Sequence, residues 1–564
     1  MRASSKKREL LSALLLLLCL GFCVWKLPYG AAATDEALYL SIPYRLWQGD
    51  RLLLHEWHVT QLAGLLLLPL LRVCLALTGS TVGVLLLFRQ LYLVFHAGVT
   101  LYLYRCLRRV SEQGALWAAL LFLVFCPFNI PALSYNSMGI DLLSVSLVTL
   151  AICRRKGREA VLAGLCFAGA VLCNPYYFLL YLLYLAAVIA AALRKSGRYA
   201  CLAPRVFLLF SAAGALIALA VCVKLFAGAD LSLLRQTLPA VVSGDTAEHP
   251  SRSLPGVLYS MWASFGKNRL FLPTLGLSAA LCLCRVLDRS WRRHRPLYLA
   301  LAALLGLTYG LWFRLYANLS LNYLMFAVNI PGFFAWYFSE DRHSPLFFFV
   351  YLPGVVCWFC SAMASNLGFI NIASVSTINM LASAVLITEA ALPLLRDRTA
   401  KKAAGAVLLL AVAAQLGMLI EFRAVNVYPL SPVSAATARV EHGALRGLRV
   451  TQEERDRLEN AWSACESVRE SEGGTVAYLT EIPGQYLDDG KPCGAYSPWF
   501  PSVSVSENLP RLRLYWSLFP EHMPERIVLG MDDPRADSYL LQELAPEYEV
   551  SELSGGYRLL TRRK

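Results

Sequence analysis

The chain has 564 residues, of which 57% are hydrophobic and only 16% charged, with a formal net charge of +14. Soluble globular proteins carry about 25% charged residues, so this balance excludes an ordinary soluble protein. The basic excess does not make a nucleic-acid surface either, because of how it is distributed.

The apolar residues fall in runs near the ~20 residues that cross a ~30 Å hydrocarbon core as a helix. About thirteen spans are expected, at 10–26, 83–104, 115–133, 139–153, 159–173, 176–193, 204–224, 270–284, 296–313, 320–338, 345–364, 376–395 and 403–421. With a cytoplasmic N-terminus, the inner loops hold 25 Lys and Arg and the outer loops before residue 422 hold 8. Such asymmetry orients membrane proteins, and the surplus cations meet anionic lipid.

The first segment ends at "YGAAAT" and also has the shape of a secretory signal. Retained or cleaved, it leaves Thr34 onward outside. The long outer loop 27–82 then carries Asp35, Glu36, Asp50, His55, Glu56 and His58. Its stretch "TQLAGLLLLPLLRVCLALTG" is apolar but interrupted by Pro69 and Arg72, so it reads as a helix on the membrane surface. Trp47 and Trp57 read as interface anchors. A second long outer loop, 226–269, carries Arg235, Arg252, Lys267 and Arg269.

From residue 422 the apolar runs end. Residues 422–564 read as an exterior α/β domain following a transmembrane domain, 1–421. "TQEERDRLENAWSACESVRES" is an amphipathic helix with Leu458, Trp462, Cys465 and Val468 on one face. "TVAYLT" and "RIVLG" read as buried strands, and "YEVSELSGGYRLLTR" as two strands joined through Gly555–Gly556. Cys465 and Cys493 are candidates for a disulfide. No phosphate loop, nucleophile elbow or metal-ligand spacing appears, which leaves a domain that caps or shapes a substrate site.

Ionisable groups in spans are costly, so their depth is informative. Arg89, Asp141, Lys224 and Arg314 fall near outer helix ends, and only His96 and Glu389 lie deeper. The polar groups converge on the outer boundary, whereas transporters place theirs at the midplane. A boundary site suits a substrate with a lipid tail and a charged head. Arg, Lys and His would hold its phosphate, and a nearby carboxylate would take a proton from an attacking hydroxyl.

"DEALYLSIPYRLWQGD" after a first span resembles the Asp-Glu-x-x-Tyr opening of the integral-membrane GT-C glycosyltransferases. These include the protein O-mannosyltransferases, the lipid A aminoarabinose transferase and the lipopolysaccharide-core galacturonosyltransferase group. The likeness runs through "TQLAGLLLLPLLRVCLALTGST" and "LFRQLYLVFHAGVTLYLYRCLRR", and more loosely to about residue 200. It implies a GT-C-like helical fold and an inverting transfer of sugar from a polyprenyl-phosphate donor to a glycan, lipid or protein hydroxyl. It also implies Asp35 as base or acceptor organiser, with Glu36 and Tyr39 beside it, and in some relatives a divalent metal near the acidic pair. The chain departs from the pattern at "LLLHEWHVTQ", which leaves the phosphate to His55 or His58; Arg252, Lys267 and Arg269 are further candidates to bind the donor, Glu56 a further acid of the substrate site, and Arg89 the neutraliser of a buried acid in it. Asp141 matches a later family acid only in part. Two other classes stay open: a flippase or transporter of lipid-linked saccharide would depend on His96 and Glu389, and a scaffold would need only 422–564.

Overall fold

The computed structural model describes residues 2–152, 157–243, 255–256, 258–259, 262–263, 270–317, 325–340, 342–364, 373–397, 401–428, 431–469, 474–502 and 505–563. The first ten helices are α1 (Arg2–Lys26), α2 (Asp35–Gln48), α3 (Gly64–Thr78), α4 (Val84–Leu107), α5 (Glu112–Val124), α6 (Tyr135–Ala151), α7 (Gly157–Cys173), α8 (Phe178–Leu193), α9 (Pro204–Phe226) and α10 (Leu231–Ser243). Helices Phe271–Leu287, Trp291–Trp312, Phe326–Tyr337, Leu352–Ala364, Thr377–Leu395 and Lys401–Val425 follow. Every stretch expected to cross a membrane carries one of these helices.

Among the described residues, nine helices are long and apolar enough to span a membrane. The protein is an integral membrane protein of mainly α class. By length and apolarity α3 with its preceding turn belongs to the nine, although Pro69 and Arg72 place it on the surface in the sequence reading. It packs along α2, burying Leu67, Leu68, Leu71 and Cys74 and exposing Arg72, Val73 and Leu77.

Helices in lipid gain little from hydrophobicity and associate through close packing at small residues. A Cβ on Gly306 would lie 2.6 Å from the Ala327 carbonyl oxygen, and one on Gly405 would lie 2.9 Å from that of Ala391. Helix starts inside the bundle satisfy their free N–H groups with side chains. Ser111 accepts from Gly114 N–H, and Ser134 and Ser137 form a reciprocal capping box at α6.

Short strands β1 (Asn426–Val427) with β2 (Ser431–Pro432), and β3 (Ala438–Arg439) with β4 (Arg449–Val450), lead from the last membrane helix into the C-terminal α/β domain. Its sheet contains β5 (Val476–Thr480), β6 (Arg526–Gly530), β7 (Tyr548–Glu552) and β8 (Arg558–Arg562), in the order β5-β6-β8-β7. The β5–β6 pair is parallel, and β8 runs antiparallel to both neighbours. The three stretches read as strands are strands, and the β7–β8 turn uses Gly555 and Gly556 at φ 72° and 83°. Helix Gln452–Arg469 buries Leu458, Cys465 and Val468, while Trp462 stays half-buried, stacked on His442. Cys465 and Cys493 are both free thiols. They do not form the disulfide that was open in the sequence.

The domain is tied to the first loop by backbone. Gly30 N–H donates to the Arg449 carbonyl and Arg449 N–H to that of Pro28, both at 2.7 Å. Gly30 sits at φ +81° with its Cα against Val427, where a Cβ would lie 2.7 Å from the valine Cβ; only glycine fits.

Candidate active site

α2 begins at Asp35, and its first turn holds two acids where the helix dipole favours negative charge. Thr34 Oγ1 donates to the Glu481 carbonyl at 2.9 Å, fixing this start against the C-terminal domain. Asp35 is half-buried. Its Oδ2 accepts from the Tyr428 hydroxyl at 2.8 Å, and among the described residues Oδ1 has no recorded hydrogen bond. Burial pushes this carboxyl above the ordinary range, against the Tyr428 hydrogen bond and the nearby His58, which favour the ionised form. Tyr39, one turn on, is buried and meets Tyr135 edge-to-face at 5.7 Å. Asp35 is thus ringed by Tyr39, Tyr135, Tyr428 and His58.

Glu36, expected beside Asp35 in the chemistry, is engaged elsewhere. Both its oxygens accept from Arg89 at 2.6 Å, and the same guanidinium donates to the carbonyls of Leu27 and Gly30 at 2.6 and 2.8 Å. Glu36 and Arg89 are each 2% exposed. Arg89 is therefore the buried acid's counter-charge, in a fork geometry that only Arg provides. With one acid held in this way beside a fixed cation, the Asp35–Glu36 pair does not fit a divalent metal.

About ten residues further along α2, roughly 15 Å at helical rise, Arg45 organises the rest of the loop. It donates to Asp50 Oδ2 at 2.6 Å, Glu56 Oε2 at 2.9 Å and the His55 carbonyl at 2.8 Å. Glu56 is fully buried. Its Oε1 accepts from His58 N–H at 2.9 Å. Burial pushes Glu56 up to about 7, because Arg45, the next largest influence, is shared with Asp50. Asp50 goes the other way, held well below the carboxylate range by Arg45 and His55 against burial. Glu56 thus braces the loop through the His58 backbone, while His55 sits with Asp50. Trp57 is 1% exposed, donates N–H to the Tyr496 carbonyl at 2.9 Å and stacks on that ring. It is a buried anchor for the C-terminal domain rather than a membrane-interface residue, whereas Trp47 is exposed.

Asp141 is brought to His96, not to Asp35. His96 Nδ1 lies 3.0 Å from both Asp141 oxygens, and Nε2 donates to the Phe122 carbonyl at 2.9 Å. Glu389 is exposed. Arg252, Lys267 and Arg269 lie outside the described residues. α10, in the same loop, joins the first loop through Thr237 Oγ1 to the Leu53 carbonyl, and the C-terminal domain through Arg511 to the Ala240 carbonyl.

Sequence reasoning missed Tyr428, Arg45 and the half-buried Trp499, which meets His58 edge-to-face at 5.8 Å. The run of two histidines and two acids around "GDRLLLHEWH" was the available signal for Arg45. Tyr428, 393 residues from its partner, carries none.

A half-buried carboxylate thus lies at the junction of a helical membrane bundle and a C-terminal α/β domain. No known family model matches the chain, and no curated protein matches it in sequence. Among solved structures, the apo oligosaccharyltransferase of Archaeoglobus fulgidus aligns with 98% of this chain and 74% of its own, at TM-score 0.50 and 12% identity. AglB from the same organism, in complex with an inhibitory peptide and a dolichol-phosphate, aligns at TM-score 0.49 and 13% identity over 99% and 75%. ArnT from Cupriavidus metallidurans, bound to undecaprenyl phosphate, aligns over 97% of both chains at TM-score 0.35 and 12% identity. The apo oligosaccharyltransferase likeness carries the fold, and at that identity the fold alone.

Proposed function

We propose that the protein is a membrane glycosyltransferase that moves a sugar, with inversion, from a polyprenyl-phosphate donor to an acceptor hydroxyl on the outer face of the membrane. Asp35 is its base. The observation that carries this reading is the Asp35 carboxyl: half-buried, fixed at Oδ2 by Tyr428, and with Oδ1 unengaged among the described residues. A hydroxyl bonded to Oδ1 would lose its proton as it attacks. The leaving group is an already ionised phosphate, so the site needs groups that hold the phosphate rather than a dedicated acid; His58, beside Asp35, is the residue we assign to it. Tyr135 and Trp499 offer rings to the acceptor, and the C-terminal domain closes over it. Holding donor and acceptor together supplies much of the rate.

The two groups a transporter would depend on are placed as follows. Both ring nitrogens of His96 are engaged, and Glu389 lies on the exposed side of its helix.

The test is Asp35→Asn in purified protein given radiolabelled polyprenyl-phosphate sugars. Transfer is expected to fall by about 10²–10⁴-fold. The variant should also melt no lower than the parent at neutral pH. A folded-state pKa above the unfolded one means that ionised Asp35 costs stability once pH rises through it. Transfer retained at the parent rate would remove Asp35 from the mechanism.

A further inference from the structure

Asp50 and His55 from the first loop meet His522 from the C-terminal domain, and ligand-capable atoms of all three lie within 4.8 Å of one another. His522 ends the short 3-10 turn Pro520–His522 that follows helix Val505–Leu518. The His55 and His522 rings are 4.6 Å apart, and Phe519 packs on His55 at 5.0 Å.

Each donor is already oriented. Asp50 gives Oδ2 to Arg45 at 2.6 Å and keeps Oδ1 toward His55. His522 Nδ1 lies 3.3 Å from the Cys493 carbonyl. That carbonyl can only accept, so Nδ1 carries the proton and Nε2 the lone pair. Arg51 N–H donates to His55 Nδ1 at 3.2 Å, so Nδ1 is the unprotonated nitrogen of that ring, and a metal would take its lone pair in place of this hydrogen bond. A ligating histidine bonded through its other nitrogen to a carbonyl, and a ligating carboxylate held by a further hydrogen bond, are what outer-shell partners of metals provide. Asp50 Oδ1 and His55 Nδ1 are 3.6 Å apart. Two ligands at 2.0–2.1 Å in a tetrahedron sit about 3.3 Å apart. The Arg45 guanidinium is shared between Asp50 and Glu56, so Asp50 has no cation to itself.

We infer that Asp50, His55 and His522 form a zinc site that staples the first loop to the C-terminal domain. Two imidazoles and a carboxylate suit zinc, with water in the fourth position. No electron or group transfer is involved; the ion fixes the seam between Glu56, Trp57 and Tyr496 while the Asp35 chemistry lies elsewhere on α2.

The full-length protein in detergent, equilibrated with zinc and dialysed against metal-free buffer, is expected to retain one zinc per chain by mass spectrometry. His522→Gln should lose it. A chelator should lower the Tm of the parent, added zinc should restore it, and neither should move the Tm of His522→Gln. Cobalt put in place of zinc should show the intense visible bands of a tetrahedral site in the parent, a readout that does not depend on the variant folding. Metal-free parent protein, a stoichiometric metal other than zinc, or zinc retained by His522→Gln would each overturn the assignment. All these readouts are independent of transfer, so failure here leaves the Asp35 reading intact.

Discussion

Glu36 is the residue whose role the structure most changes, and a double-mutant cycle with Arg89 tests the change. Arg89→Leu leaves a carboxylate 2% exposed without its counter-charge, which costs about 3–5 kcal/mol. Glu36→Leu strands the guanidinium in turn, with only the Leu27, Tyr29 and Gly30 carbonyls for partners, and should cost a similar amount. Removing both charges leaves an apolar contact and two well-placed carbonyls without donors, at about 1 kcal/mol each. The double variant should therefore be less destabilised than either single one, a coupling above 2 kcal/mol in magnitude. The readout is the thermal or denaturant midpoint of purified protein, followed by tryptophan fluorescence. Losses that simply add, or a Glu36→Gln variant that melts with the parent while losing transfer, would refute the structural role and return Glu36 to the chemistry.

Tyr428→Phe removes a hydrogen bond that favours ionised Asp35, so the acid limb of the pH–rate profile should move to higher pH. A hydrogen bond to a charged group is worth about 1.5–3 kcal/mol, so a shift of one pH unit or more is expected; an unmoved limb would separate Tyr428 from the base. Glu56, raised from 4.5 to about 7, binds a proton more tightly folded than unfolded. Its ionisation thus costs stability as pH climbs from about 4.5 through 7, roughly 3 kcal/mol in all. Glu56→Gln should flatten that part of the melting profile between pH 5 and 8, and a parallel profile would count against the buried assignment.

What could be seen in the sequence follows the range of each interaction. The bundle was visible because each span is a local run of apolar residues, and the β7–β8 hairpin because Gly555–Gly556 stands between β-rich segments. Asp35 was visible through a local pattern, "DEALYLSIPYRLWQGD", at a fixed distance from the first span. Arg89 and Glu36 both stood out in the sequence, but nothing local pairs residues 53 positions apart, and the dipeptide's symmetry invited one role for both acids. His55 and His58 looked equivalent in "HEWH". They part in space because Glu56 ties its carboxylate to Arg45 and to the His58 backbone. Asp141 lay close enough to a family acid to be read as one, and it is His96, about three helical turns from the start of α4, that claims it. Contacts such as Tyr428 with Asp35 span most of the chain and leave no local periodicity.

The ionisable groups inside the bundle, which would suggest transport, have a structural account that leads back to the site. α5 stops at Val124 within the bundle, and its final carbonyls need donors that lipid cannot give. His96 reaches the Phe122 carbonyl, Cys23 Sγ that of Leu123, and Arg423 that of Val124 at 2.5 Å. Donors at a helix C-terminus also complement its dipole, and Asp141 holds the His96 ring in place. Stopping α5 there frees Cys126–Pro127 to start the turn in which Phe128 and Asn129 adopt φ 54° and 62°. Such a backbone costs each residue about 1–2 kcal/mol and persists only where its surroundings enforce it. Asn129 Nδ2 donates to the Asn426 carbonyl at 2.8 Å, two residues before Tyr428, and Ile130 and Ala132 pack with Tyr39. The buried charges thus end a helix, the ended helix makes a strained turn, and the turn holds the strap that places a hydroxyl on Asp35.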